Sequence, residues 1–230
     1  MLSRKVVIVT GGAGALGRAV VADFRDAGAS VAVADTGAAV AGMERAPNLF
    51  PLATNLVDES SVSEMVKAVV DRFGRVDALL CLAGGFFGNI PVAGTPPGRM
   101  REQLELNLLT AYTAIHAALP HMVAGGGGAI VCVGSRPAVR PVAGSVAYAT
   151  AKLGVLKVVE AVAEEYRDQG VRANAILPSI IDTEANRHAM PKADFARWVK
   201  PEEIAAVLRF LVSDDAKVIS GAAIPVYGRA

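Results

Sequence analysis

Short apolar runs of Val, Ile, Leu and Ala recur at Val6–Thr10, Ser30–Ala34, Leu49–Ala53, Ala78–Ala83, Ala129–Val133, Arg172–Leu177 and Ala222–Val226. Longer stretches with helical spacing separate most of them, at about 15–27, 59–73, 99–123, 145–168 and 201–212. Runs that are apolar at nearly every position predict strands buried on both faces, and their alternation with helices predicts a parallel sheet covered on each side. The expected fold is α/β, a doubly wound parallel sheet of about seven strands forming a single domain over 1–230. Punctuation agrees: Gly28, Gly74 and Gly170 each separate a helical stretch from the next strand, Asp58 and Pro201 sit at helix starts, and the glycines at 125–128 end a helix. The long irregular piece lies at about 178–200, and loops of that length are usually functional, so a substrate lid is expected there.

Composition narrows the partners. Lys plus Arg 23 against Asp plus Glu 22 gives a net charge of +1 with no basic run, which argues against a nucleic-acid surface and for a small-molecule substrate. Hydrophobic content is 53%, yet no apolar stretch reaches the roughly 20 residues of a bilayer span. The nearest, Leu104 to Val123, carries Glu105, Asn107, His116 and His121. The first apolar run is too short for a signal-peptide core, so a cytoplasmic protein without membrane contact is expected. Cys81 and Cys132 lack CxxC spacing and read as buried thiols; His116, His121 and His188 lack ligand spacing, and no metal site is expected.

The segment "TGGAGALG", Thr10 to Gly17, follows the first strand and opens the first helix. Gly12, Gly14 and Gly17 match GxGxxG, a turn that lets a pyrophosphate approach free N–H groups at a helix N-terminus, as in a Rossmann fold. Asp35 ends the second strand, where a carboxylate accepts hydrogen bonds from ribose hydroxyls and repels a 2′-phosphate. No Lys or Arg follows it until Arg45, so the expected cofactor is NAD, with NADH preferred over NADPH.

In "AYATAK", Tyr148 and Lys152 share one helix face. A lysine ammonium beside a phenol favours the phenolate, lowering its pKa toward working pH and making Tyr148 a usable acid or base. Ser135 closes the strand "AIVCVGS" at a carboxyl end of the sheet, where its hydroxyl can donate to a carbonyl oxygen while Tyr148 protonates it. Asn107 interrupts the apolar helix "LELNLLTAY", so it either caps a local irregularity or holds a water near the reacting groups.

Together the glycine turn, Ala83–Gly84, Asn107, Ser135, Tyr148 with Lys152, and "NAILPSIIDT" at 174–183 resemble the short-chain dehydrogenase/reductase family, in order and spacing, over essentially the whole chain. The resemblance implies that Tyr148 is the general acid/base, that Lys152 lowers its pKa and binds the nicotinamide ribose, that Ser135 orients the substrate, and that Asn107 supports a water relay. It further implies a cofactor site of Gly11, Gly14, Leu16, Gly17, Asp35, Asn55, Leu56, Ala83, Gly84, Tyr148, Lys152, Pro178, Ile181 and Thr183. Five positions depart from the family pattern: Ala15 replaces a glycine, Asn55 an Asp, Cys81 and Leu82 make "CLAG" of "NNAG", and Ser179 replaces a glycine.

Within the family, residues 77–88 and 177–198 resemble the dihydropteridine reductases, although Ser135 pulls the reading back toward carbonyl or alcohol chemistry. Phe86, Phe87, Met190, Phe195 and Trp198 either cover a flat apolar substrate or anchor the lid, and Arg136 or Arg140 is available to an anionic group. The helices at 99–123 and 145–168 are apolar nearly all round, and the resemblance implies that they pair in a homodimer or homotetramer. A reading of another class is a non-catalytic NAD sensor or scaffold, against which the intact Asn107, Ser135, Tyr148 and Lys152 set argues.

Overall fold

The computed structural model describes residues 2–230; Met1, where the expected domain span begins, lies outside them. The apolar runs become β1 (Val6–Thr10), β2 (Ser30–Asp35), β3 (Leu49–Ala53), β4 (Ala78–Cys81), β5 (Gly128–Val133), β6 (Val171–Pro178) and β7 (Ala223–Val226). They form one parallel sheet in the order β3-β2-β1-β4-β5-β6-β7. The helical elements are α1 (Ala15–Asp26), α2 (Gly37–Val40), α3 (Glu59–Phe73), α4 (Pro97–Leu104), α5 (Thr110–Ala124), α6 (Arg136–Val139), α7 (Val146–Glu165), α8 (Glu184–Ala189) and α9 (Pro201–Val212). This is the expected single-domain Rossmann fold.

Each face of the sheet has its own core. On one side Val20 and Phe24 of α1 and Ile204, Leu208 and Leu211 of α9 pack on Val7, Val9, Val31 and Val33. On the other, Val66 and Val69 of α3, Ala114 and Ile115 of α5 and Val155 and Val159 of α7 cover Ile8, Leu79 and Ile130. Burial of each large aliphatic or aromatic side chain contributes about 1.5–3 kcal/mol, which is why strands apolar on both faces need helices on both. The helix ends follow local chemistry: the Asp58 carboxylate accepts the Ser61 N–H at 2.9 Å to start α3, and Gly74 ends it at a φ of 82°.

Two segments differ from expectation. The stretch 99–123 is not one helix: it begins at Pro97 and is broken by a π-helical turn, Glu105–Leu109, that holds Asn107. The segment 178–200 is not irregular. Thr183 caps α8 by accepting the Asn186 N–H at 3.3 Å, Asn186 donates to the Ile181 carbonyl at 2.8 Å, and Trp198 and Val199 are buried. Cys81 and Cys132 are buried free thiols, as expected. No helix among the described residues is long and apolar enough to cross a membrane, and no group of metal-binding side chains occurs among them.

The connections β1→β2→β3 run one way from β1, and those from β4 onward run the other. Between them the carboxyl ends of β1 and β4 leave the crevice in which sheets of this topology bind ligands.

Candidate active site

A cleft of about 1070 Å³ occupies that crevice. Its floor is the turn between β1 and α1, where glycines are required by contact. Gly11 has a φ of 68°, and a Cβ on it would lie 2.8 Å from the Ala83 Cα. A Cβ on Gly17 would fall on the Gly11 carbonyl oxygen and 2.5 Å from the Gly12 Cα. At Gly14 a Cβ would meet only the Gly11 carbonyl, at 3.3 Å, and otherwise project into open space at the cleft wall. Gly14 caps α1 without a side chain, and no acid stands in the first turn, so the helix N-terminus is left to an external anion. This cradle fits a dinucleotide pyrophosphate.

At the adenosine end, Asp35 holds its carboxylate by accepting the Ala13 N–H at 3.1 Å and the Thr36 N–H at 2.8 Å. Asn55 and Leu56 line the same wall, with the Asn55 amide oxygen accepting the Val57 N–H at 3.3 Å. Leu16, Ala83, Gly84 and Ile181 also line the cleft. Among the described residues no Lys or Arg lines the adenosine end; Arg45, the first cation after Asp35, stacks 4.9 Å above the Phe50 ring instead.

At the reacting end, α7 presents Tyr148 and Lys152 to the cleft on one face, with the Lys152 Nζ 5.9 Å from the Tyr148 ring centroid. The Nζ is buried and donates to the Val133 carbonyl at 2.8 Å. Burial lowers the Lys152 pKa from 10.5 to about 8, against the opposing influence of Cys132 and Cys81. The expected lowering of the phenol pKa by Lys152 does not hold: burial raises the Tyr148 pKa from 10.0, and the Ser135 hydroxyl beside it pulls the other way. Desolvation of the phenolate outweighs the favourable neighbour.

Asn107 is buried in the π turn and clamps Gly85, accepting its N–H at 3.1 Å and donating to its carbonyl at 3.0 Å, with Gln103 as a further acceptor at 3.3 Å. The π turn is a local irregularity, and Asn107 sits within it. A Cβ on Gly84 would lie 2.6 Å from the Asn107 Oδ1 and 3.2 Å from the Lys152 Nζ, so these two polar groups converge on the same spot behind Gly84. Ser135 and Asn107 are buried, and the Ser135 hydroxyl stands beside the cleft-lining Tyr148 phenol. Pro178 is buried at the end of β6 and Thr183 is spent on capping α8; only Ile181 of that trio lines the cleft.

The aromatics divide. Phe86 lines the cleft beside Tyr148, whereas Trp198 is buried against Phe195 and anchors its segment. Arg136 is not available to an anion, because it donates to the Ala230 carbonyl at 2.8 Å. Sequence reasoning missed Glu102, Glu105, Leu106 and Thr110, which line the cleft from α4, the π turn and the start of α5; no local signal marks them, since the bulge sets which side of the helix faces inward.

Known proteins agree with this architecture. Residues 11–228 match the family described as enoyl-(acyl carrier protein) reductase. The chain is 29% identical to the 3-oxoacyl-[acyl-carrier-protein] reductase FabG of Thermotoga maritima, over 99% of this chain and 98% of that one. It is 32% identical to the D-threitol dehydrogenase of Mycolicibacterium smegmatis, over 99% and 93%. Among solved structures, the 3-ketoacyl-(acyl-carrier-protein) reductase of Brucella melitensis complexed with NADH superposes with a TM-score of 0.88 at 25% identity, covering 99% of this chain and 98% of that one. With its glycine cradle, its Tyr148–Lys152 face and this likeness over nearly its whole length, the chain belongs to the short-chain dehydrogenase/reductase family of oxidoreductases.

Proposed function

We propose that this chain is a cytoplasmic NAD(H)-dependent oxidoreductase that interconverts a small carbonyl compound and its alcohol, with Tyr148 as general acid/base. The observation that carries the reading is the placement of the Tyr148 phenol on the cleft wall with the Ser135 hydroxyl beside it and the buried Lys152 one helical turn behind. Bound NADH would supply the hydride to the carbonyl carbon. The Tyr148 phenol donates its proton to the carbonyl oxygen, and the Ser135 hydroxyl donates a hydrogen bond to the same oxygen, so the charge that develops there is met by two donors. A phenol pKa raised by burial keeps that proton in place across neutral pH, which favours reduction; Lys152, protonated below about 8, supplies the positive charge that steadies the phenolate left behind. Asn107 fixes Gly85 and holds the water relay toward Lys152.

The cofactor contacts are Gly11, Gly14, Leu16, Gly17, Asp35, Asn55, Leu56, Ala83, Gly84, Tyr148, Lys152, Pro178, Ile181 and Thr183, and the fixed Asp35 carboxylate selects NADH over NADPH. The segment 178–200 serves as the substrate lid. Exposed Leu106, Leu109 and Tyr112 beside α5, with Leu153 on α7, support a homodimer or homotetramer paired through these helices. Quinonoid dihydropterin is a second candidate substrate, on the likeness of 77–88 and 177–198 to dihydropteridine reductases; Ser135 beside the phenol favours a carbonyl.

The test is NADH oxidation with a panel of ketones, aldehydes and quinonoid dihydropterin, using wild type and Tyr148→Phe. The expected result is carbonyl turnover that falls about 10²- to 10⁴-fold in kcat/KM in the variant, with NADH affinity kept and NADPH used poorly. Turnover of pterin alone would transfer the reading to pteridine reduction. NADH binding without turnover of any compound would refute it in favour of a sensor or scaffold.

A further inference from the structure

We propose that Phe86 is a specificity-determining residue and that the substrate is an uncharged compound carrying its carbonyl or alcohol on a flat ring; this deepens the carbonyl-reductase reading above and rests on it. Phe86 lies on the segment that leaves β4, and its ring stands edge-on to Tyr148, centroids 5.0 Å apart at 84°. It is 55% exposed and lines the cleft, so an open aromatic surface borders the proton donor itself. Such a surface gains from a planar ring stacked at 4.5–7 Å more than from a flexible chain, which must lose rotamer freedom to lie against it.

The ring is held in place. Gly88 lies under it: a Cβ there would fall on the ring Cζ and 2.9 Å from Cε2. The loop is in turn docked on the segment that follows β5, through the Ile90 N–H donating to the Gly144 carbonyl at 3.4 Å and the close approach of Gly144 to Asn89. Phe87 differs from its neighbour, because the Arg99 guanidinium covers its ring at 3.8 Å and is itself paired with Glu102 at 2.5 Å. Of the two phenylalanines, Phe86 is the one whose ring borders the cleft.

Charge excludes the anionic alternative. The charged residues lining the cleft, among those described, are Asp35, Glu102, Glu105 and Lys152, and the Lys152 ammonium is committed to the Val133 carbonyl. Arg99 and Arg136 are likewise engaged. Asp35 lies at the adenosine end, so a carboxylate or phosphate on the substrate would face Glu102 and Glu105 and find no unengaged cation among the described residues that line the cleft, whereas a neutral ring loses nothing.

The experiment compares kcat/KM for NADH-dependent reduction of acetophenone, 2-octanone and 4-acetylbenzoate, a neutral flat ring, an open chain and a charged flat ring, by wild type, Phe86→Ala and Gly88→Ala, with NADH affinity followed by fluorescence. Wild type should favour the neutral ring over the open chain, and over the charged ring, by about tenfold each. Phe86→Ala should bring ring and chain within about twofold at unchanged NADH affinity, and Gly88→Ala, which places a methyl group where the ring sits, should do the same with Phe86 present. Equal use of ring and chain by wild type, better use of the carboxylate, or a ring preference that survives in Phe86→Ala overturns the proposal while leaving the oxidoreductase reading intact. Silence with every compound despite NADH binding defeats that reading and the proposal with it.

Discussion

Replacing Lys152 by methionine should leave the fold as stable as wild type, or more so, at neutral pH while removing activity. The side chain is 4% exposed, and burial lowers its pKa from 10.5 to about 8. Holding it charged at pH 7 therefore costs the folded state about 3 kcal/mol, at about 1.4 kcal/mol for each pKa unit. Methionine keeps the length and apolar stem without the charge, but it orphans the Val133 carbonyl that Lys152 contacts at 2.8 Å, a loss of about 1–3 kcal/mol. The two nearly cancel, leaving a gain of about 0–2 kcal/mol. The pH dependence identifies the cause. Below about pH 8 both the folded and the unfolded wild type hold the proton and the full cost stands. Between about 8 and 10.5 the unfolded chain holds it and the folded one has released it, so wild-type stability rises with pH. Lys152→Met lacks that rise, so its advantage should decline by about 3 kcal/mol over the same window. Urea unfolding of both proteins at one fixed concentration, from about pH 7 to pH 10, reads this directly. Parallel stability curves, or a variant weaker by several kcal/mol at pH 7, would refute the reasoning.

Two further outcomes follow from contacts. Gly17→Ala should lower Tm and abolish NADH binding, since its methyl group strikes backbone and overpacking costs about 1–3 kcal/mol; Gly14→Ala, with one contact at 3.3 Å, should fold normally and lose only NADH affinity, and equal Tm losses in the two would contradict the cradle. Leu109→Glu combined with Tyr112→Glu should reduce the mass measured by light scattering, and an unchanged assembly would place the subunit contact elsewhere.

The inner strands were legible almost to the residue because burial on both faces leaves a continuous apolar run that no surface helix needs; the edge strand β7 is open to solvent and was marked by its apolar composition alone. The glycine turn and Asp35 were legible because backbone contact and strand-end position are local properties. The π turn was not, because it depends on Asn107 reaching across to Gly85, 22 positions away; the lone asparagine in an apolar helix marked the place without giving the geometry. Tyr148 and Lys152 could be placed on one face from their spacing, but the direction of their pKa shifts could not, since that depends on how much water the fold removes. Trp198 read equally as substrate cover or lid anchor from sequence, and Arg136 as available to an anionic group; only packing assigned them to the core and to the chain end.

The first and last long helices are partners. Phe24 of α1 packs in the same core as Leu208 and Leu211 of α9, and Asp23 pairs with Arg209 at 2.8 Å across 186 positions. A ribosome adding about 5–20 residues per second therefore exposes the apolar side of α1 for roughly 10–40 s before its cover is made. The nucleotide-binding half thus emerges as a sticky intermediate, and a pause in translation ahead of α9 would lower the yield of folded enzyme without altering a single residue of it.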